Sequence, residues 1–335
     1  MIKALLGERL ADGWVRCRLC GHQCRIAPGR RGICGVRKNV AGELYSLNAD
    51  RVAAVNVDPI EKKPLYHFLP GSRSLSIAAM GCNFSCRFCQ NHSLSQVTAE
   101  DGIAGENLSP ERLVALAGKG GCRSISYTYT EPTVFFELAL ETAQRARQAG
   151  LRNVLVSNGF LSPEALELLV PHLDGANIDL KSFRDGFYRR YCSARLDPVL
   201  KTIRALKAAG VWVEVTTLLI PGLNDGQKEI ADLISFLLDV DAAMPWHVSR
   251  FFPQHLLRDA AVTPETAIHE CLRLGSERGL KFAYGGNLAD SPWSDTRCPG
   301  CGASLVRRRG YQVNIAGLRA GTCAACGAAV AGVWE

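Results

Sequence analysis

No apolar run in the chain approaches the roughly 18 residues needed to cross a bilayer, so no membrane association is expected. The opening stretch from Met1 to Leu10 carries Lys3, Glu8 and Arg9 and lacks the long apolar core of an export signal, which argues against secretion. Low-complexity tracts are missing, and with 47% hydrophobic and 21% charged residues the chain is no disordered polymer. These lacks leave a globular chain of 335 residues, expected in the cytoplasm and long enough for one large domain or two to three smaller units. Cysteine, by contrast, is abundant: there are 14.

Eleven of the cysteines fall into three groups: Cys17, Cys20, Cys24 and Cys34; Cys82, Cys86 and Cys89; Cys298, Cys301, Cys323 and Cys326. Tight clusters in a chain without an export signal imply metal ligation more than disulfides. Cys122, Cys192 and Cys271 stand alone and are expected to be small buried apolar residues. Charge is spread unevenly. Residues 1–50 hold nine Lys/Arg against four Asp/Glu and residues 291–335 hold five against two, so the ends carry +5 and +3 of a total of +7. A basic end suits RNA or another polyanion. It suits equally well the net negative charge of four thiolates around one Zn²⁺.

From about Ser74 to Leu288 strand-like and helix-like segments alternate. Strands are expected at Leu75–Met80, Ser124–Thr130, Asn153–Ser157, Ala176–Leu180, Trp212–Ile220, His247–Phe251 and Lys281–Tyr284. Helices fall between them, several opening on Ser-Pro or Thr-Pro (Ser109-Pro110, Ser162-Pro163, Thr263-Pro264) and several closing on Gly150, Gly210 or Gly279. Repeated strand–helix–strand units mean an α/β protein with a parallel sheet. Six units and a last strand fall short of eight, so a partial, TIM-like β/α barrel is expected over 74–290. Residues 1–73 form a cysteine-rich N-terminal region with a short hairpin expected over Glu43–Val57, and residues 291–335 form a small C-terminal module.

The run Met80-Gly-Cys-Asn-Phe-Ser-Cys-Arg-Phe-Cys-Gln-Asn91 follows the first barrel strand, where β/α barrels keep their active sites. Three cysteines at C-x3-C-x2-C can hold three irons of a [4Fe–4S] cluster and leave the fourth open. The bland alternative is zinc completed by a distant His or Asp. This motif, with Phe88 as its aromatic, resembles the radical S-adenosylmethionine enzymes. That resemblance implies that Cys82, Cys86 and Cys89 hold the cluster. S-adenosylmethionine would chelate the open iron, and its reductive cleavage would yield methionine and a 5′-deoxyadenosyl radical that abstracts hydrogen from a substrate. An electron donor such as flavodoxin or ferredoxin is implied as well.

Further positions follow from the same likeness. Phe88 would lie against the adenine. Thr130 and Glu131, in Thr128-Tyr-Thr-Glu-Pro132, would bind the cofactor's amino group, although Glu131 also reads as a helix N-cap. Ser157-Asn158-Gly159 and Asn177-Ile-Asp-Leu-Lys181 are similar to segments of pyruvate formate-lyase activating enzymes, with Val156 where those enzymes carry Asp. Asn158 would hold a ribose hydroxyl, and Asp179 and Lys181 would face the cofactor. His247 matches a cofactor-contacting histidine and reads alternatively as a satisfied core residue. The N-terminal cysteine run, Glu61-Lys-Lys-Pro-Leu-Tyr-His67, Trp246-His-Val-Ser-Arg250 and Tyr284-Gly-Gly-Asn287 resemble the AmmeMemoRadiSam-system radical SAM enzymes, whose name implies AMMECR-type and Memo-type partners. Glu61, Lys63, His67 and Arg250 are the candidate substrate residues, Glu61–His67 reading otherwise as a solvated linker.

The two C-x2-C-G knuckles at Cys298/Cys301 and Cys323/Cys326 form a zinc-ribbon pattern, with iron or a second cluster as the alternative. A module with so little core needs such a staple. The N-terminal C-x2-C-x3-C-x9-C suits zinc or an auxiliary iron–sulfur cluster. The leading expectation is thus a radical enzyme. The alternatives are an activating enzyme for a glycyl-radical protein and a non-catalytic, metal-stabilised module that binds RNA or protein.

Overall fold

The computed structural model describes residues 1–98, 102–289 and 291–335. Eight strands form the central sheet: β1 (Ala54–Pro59), β2 (Arg73–Ala78), β3 (Ser124–Tyr127), β4 (Arg152–Ser157), β5 (Gly175–Asp179), β6 (Trp212–Leu219), β7 (Trp246–Arg250) and β8 (Ala283–Gly286). They lie in sequence order, β8 at one edge and β1 at the other. Strands β2 to β8 run parallel, and β1 is antiparallel to β2. Among the described residues the crossovers carry six α-helices longer than four residues: α1 (Pro110–Lys119), α2 (Phe136–Gln148), α3 (Pro163–Leu169), α4 (Asp197–Ala208), α5 (Gln227–Asp241) and α6 (Glu265–Glu277). Ser109 and Ser162 cap α1 and α3 through their side chains, and each helix has proline in its first turn.

With strand order following the chain, crossovers of one hand stack the helices on one face of the sheet. The period-two alternation of the strands sorts residues between the faces. Leu75, Ile77, Ile125, Tyr127, Ala176 and Ile178 are buried apolar residues, whereas their neighbours Ser74, Ser76, Ser124, Ser126 and Asn177 are buried and polar. The polar set is satisfied by side-chain and backbone partners, Ser76 donating to Asp58 and Asn177 to Pro64 O. Ser74 and Ser126 share a 2.6 Å hydrogen bond, Ser124 donates to Ser74, and Thr216 donates to Asn177 at 2.9 Å.

The expected hairpin forms elsewhere. Its strands are Arg37–Val40 and Glu43–Ser46, turned by Ala41 and Gly42, both in the left-handed region as a type I′ turn requires. The rest of the predicted hairpin becomes β1, which extends the main sheet. No helix among the described residues is long and apolar enough to cross a membrane.

Residues 291–335 pack on the β8 edge through Phe282 and Tyr284, with Leu305, Val306 and Val330. A parallel bridge ties them to the segment before β2: Val333 N–H donates to His67 O and Leu69 N–H to Val333 O, each at 2.7 Å.

Candidate active site

The C-terminal ends of the parallel strands open on a cavity of about 660 Å³. At its floor lies the loop after β2, bearing Cys82, Cys86 and Cys89. Gly81 enters this loop with φ +106°, where a Cβ would stand 2.8 Å from Val36. A π-helical turn, Tyr188–Cys192, then holds the loop: Ser85 N–H donates to Cys192 O and Arg87 N–H to Tyr191 O. Cys192 is a buried core residue, as expected, and its turn also supports the cysteine loop. Its buried thiol neighbours that of Cys86 and lowers that group's pKa, while burial drives Cys192 itself well up.

Burial also raises Cys82 and Cys89. Such thiols ionise when a cation takes up their charge, so the donor set fits a metal centre. The three sulfurs line the cavity and do not converge on one point. Among the described residues, only Cys298, Cys301, Cys323 and Cys326 bring three or more His, Cys, Asp or Glu donor atoms within 4.8 Å of one another. A spread of this kind suits the separate corners of an iron–sulfur cluster better than a single ion.

Seven of the predicted site residues meet at this cavity: Phe88, Thr130, Glu131, Asn158, Asp179, Lys181 and Lys63. Glu131 is 2% exposed and pushed up by burial. Its Oε1 accepts from Thr133 N–H, Thr133 Oγ1 and Ser157 Oγ, and its Oε2 accepts from Asn158 N–H. The carboxylate thus caps the following 3₁₀ turn and faces the cavity at once. Asn158 Nδ2 donates to Asn83 Oδ1 at 2.7 Å and stands 3.8 Å from Cys82 Sγ. Lys181 Nζ lies 2.8 Å from Asp179. Burial opposes its charge, but Asp179 and the neighbouring Cys86 and Cys192 hold its pKa well above the usual value.

Four predicted residues stand apart from the cavity. His247, second in β7, is buried and donates its ring to Glu214 at 2.6 Å. His67 is fully buried between Ala331 O and Tyr284 OH. Glu61 is buried and accepts from Gly71 N–H, so this run is no solvated linker. Arg250 pairs with Glu265 and donates to Thr263 O.

The reading of the sequence left out Tyr129 and Tyr311, which also line the cavity. Lys63 Nζ pairs with Asp58 at 2.7 Å, Tyr129 OH also bonds Asp58, and Lys63 sits 4.5 Å over the Tyr129 ring. Tyr129 holds φ +63°, a left-handed conformation unusual for an aromatic residue. Tyr311, from the C-terminal hairpin, reaches the same cavity.

The two flanking cysteine quartets differ. In the C-terminal one, Cys298 and Cys326 are 3.6 Å apart and Cys301 and Cys323 3.7 Å. Four thiolates bound to one ion at about 2.3 Å stand roughly 3.8 Å from one another, and these two pairs have that spacing. In the N-terminal one, Cys17, Cys20, Cys24 and Cys34 surround a void of about 10 Å³ shared with His22, Arg37 and Asn83.

The Radical SAM superfamily pattern matches residues 77–234. An uncharacterized protein of Methanocaldococcus jannaschii, MJ0808, is 40% identical over 330 residues, 98% of each chain. A GTP 3′,8-cyclase of Heliobacterium modesticaldum is 32% identical over 162 residues, 47% of this chain and 48% of its own. An isethionate sulfite-lyase activating enzyme of Nitratidesulfovibrio vulgaris is 26% identical over 165 residues, 47% and 52% respectively. The chain thus spans about half the length of those two enzymes. With the superfamily pattern opening just before the cysteine loop and a relative matching end to end, the chain belongs to the radical SAM superfamily, enzymes of the [4Fe–4S] cluster and S-adenosylmethionine.

Proposed function

We propose that Cys82, Cys86 and Cys89 hold a [4Fe–4S] cluster and that the enzyme cleaves S-adenosylmethionine to functionalise a small substrate by hydrogen abstraction. The observation carrying this is the convergence of those cysteines with Glu131, Asn158, Asp179 and Lys181 on one cavity. When bound there, the cluster supplies one electron to the sulfonium, releasing methionine and a 5′-deoxyadenosyl radical, and draws its own electron from a flavodoxin- or ferredoxin-type donor.

The protein's part is placement and exclusion of water. Glu131 accepts the cofactor's ammonium group, with Thr130 beside it. Lys181, held upright by Asp179, provides a point charge for the carboxylate. Phe88 lies against the adenine, and Asn158 takes a ribose hydroxyl. Lys63, fixed by Asp58, and Tyr311 stand on the substrate side. Because both flanking segments contribute to this rim, a substrate that enters the cavity is favoured over a large protein bearing a backbone glycine. The sheet is read as a partial β/α barrel over 74–290, flanked by the cysteine-rich region 1–73 and the module 291–335. The C-terminal quartet is assigned to structural zinc and the N-terminal quartet to a further metal centre. Assignment to the AmmeMemoRadiSam system, with AMMECR-type and Memo-type partners in the cytoplasm, rests on sequence motifs. RNA is not favoured, because the terminal arginines have metal centres to compensate.

The test is anaerobic reconstitution with iron and sulfide, then S-adenosylmethionine and dithionite, with 5′-deoxyadenosine as readout. Product that disappears in Cys86→Ala is expected. A loaded, reducible cluster that yields none, with or without candidate substrates, refutes the assignment.

A further inference from the structure

We infer that Cys17, Cys20, Cys24 and Cys34 hold a second [4Fe–4S] cluster, placed to pass electrons to the active site. Two internal comparisons favour a cluster over a single ion. No three of these four sulfurs come within 4.8 Å of one another, whereas all four C-terminal sulfurs do. They also surround a water-sized void of about 10 Å³. Four thiolates closed on one ion at about 2.3 Å leave no such space. A four-iron cube separates its thiolates by its own edge and two further bonds, which is the wider arrangement seen here and at Cys82, Cys86 and Cys89.

Position gives this centre its role. Asn83 lines the N-terminal void, and Cys82, the preceding residue, lines the active-site cavity. Consecutive Cα atoms are about 3.8 Å apart, so the two centres share a wall one residue thick. Hydrogen bonds fix the contact: His22 Nε2 meets Asn83 O at 2.7 Å, and Asn158 bridges Asn83 to Cys82. The cysteine loop is also strapped to the chain after β4, Gly21 N–H donating to Phe160 O and Ser162 N–H to Leu19 O. A structural staple has no need to abut the reaction centre.

The step is a single-electron transfer. A low-potential protein carrier of the ferredoxin or flavodoxin class loses one electron, and the N-terminal cluster goes from its 2+ to its 1+ state. That electron then reduces the active-site cluster and returns the N-terminal one to 2+, with no bond made or broken. Arg18 and Arg25, each next in sequence to a ligand cysteine, and Arg30 are exposed and suit an acidic carrier.

The second cluster stands independently; its relay role rests on the proposed cluster at Cys82, Cys86 and Cys89. The test therefore uses the full chain with those three cysteines changed to alanine, reconstituted anaerobically. Expected are about four irons and four sulfides per chain, a reduced-cluster EPR signal, and zinc confined to the C-terminal quartet. Zinc in place of this iron overturns the inference. Wild-type protein should hold about eight irons, falling to about half in Cys20→Ala and in Cys24→Ala, which keeps the count decisive if the triple variant misfolds. Equal iron in wild type and triple variant would instead count against the active-site cluster. In reduced wild type the two signals should interact, with broadened lines and faster relaxation than in the triple variant. Two signals that simply add would overturn the relay.

Discussion

Lowering the pH from 7 to 5 is expected to loosen the C-terminal end of the chain, because His67 is locked there as a neutral ring. Its nitrogens are occupied by Ala331 O and Tyr284 OH, and Phe282, Trp212 and Trp334 pack around it. Burial pushes the ring's pKa down to about 4, against about 6.5 in an open chain. Between those values the open form takes up a proton that the closed form refuses, so closure weakens as pH falls. From pH 7 to 5 the loss comes to about 2 kcal/mol, roughly twentyfold in the opening equilibrium, and approaches about 3 kcal/mol near pH 4. Other charges face the ring. Arg308 and His247 oppose its protonation and Glu214 favours it. Burial would raise Glu214, but His247 holds it below the usual carboxylate value, so it titrates beneath this window. Glu61, pushed up by burial, works with the opposite sign and regains stability as it protonates. The amides of Leu69 and Val333, which make the bridge beside His67, report opening directly by hydrogen exchange. Protection that does not change with pH, once intrinsic rates are corrected, would refute the reasoning. So would an equal slope in His67→Gln.

The buried pair of Arg37 and Glu137 is bidentate at 2.8 Å on each arm, so Arg37→Met should cost about 3–5 kcal/mol by stranding the carboxylate. Arg37→Met/Glu137→Leu should recover most of it in thermal melts. Glu131→Gln turns an amide donor toward Thr133 and Ser157 or toward Asn158 N–H, and is expected to weaken S-adenosylmethionine binding at least tenfold by calorimetry. Unchanged affinity would leave Glu131 a cap alone. Cys301→Ser should release the C-terminal metal and expose residues 304–334 to protease while iron content stays at the wild-type level. Metal retained in stoichiometric amount would contradict the tetrathiolate.

The helix starts were legible because Ser-Pro pairs and closing glycines are local signals, and the site followed from placing each motif at a strand's end. Depth along a strand was not legible. His247 is a strand residue, but it sits second in β7, beneath the cavity rim where Ser249 lies, and its partner Glu214 is 33 residues away. Cys192 looked like any solitary cysteine, since its role depends on a π-helical turn that carries no distinctive spacing. β1 was misread because edge pairing with β2 is decided by a partner strand across an irregular link, whereas the Ala41-Gly42 turn that closes the true hairpin is local.

The bridge between His67 and Val333 also sets an order of events during synthesis. The cysteine loop, Glu131 and Lys181 leave the ribosome well before the hairpin that carries Tyr311, and Val333 later still. Until then the cavity has a floor and no complete rim. The cysteine loop is therefore most accessible to iron–sulfur delivery before residues 291–335 dock and complete the rim.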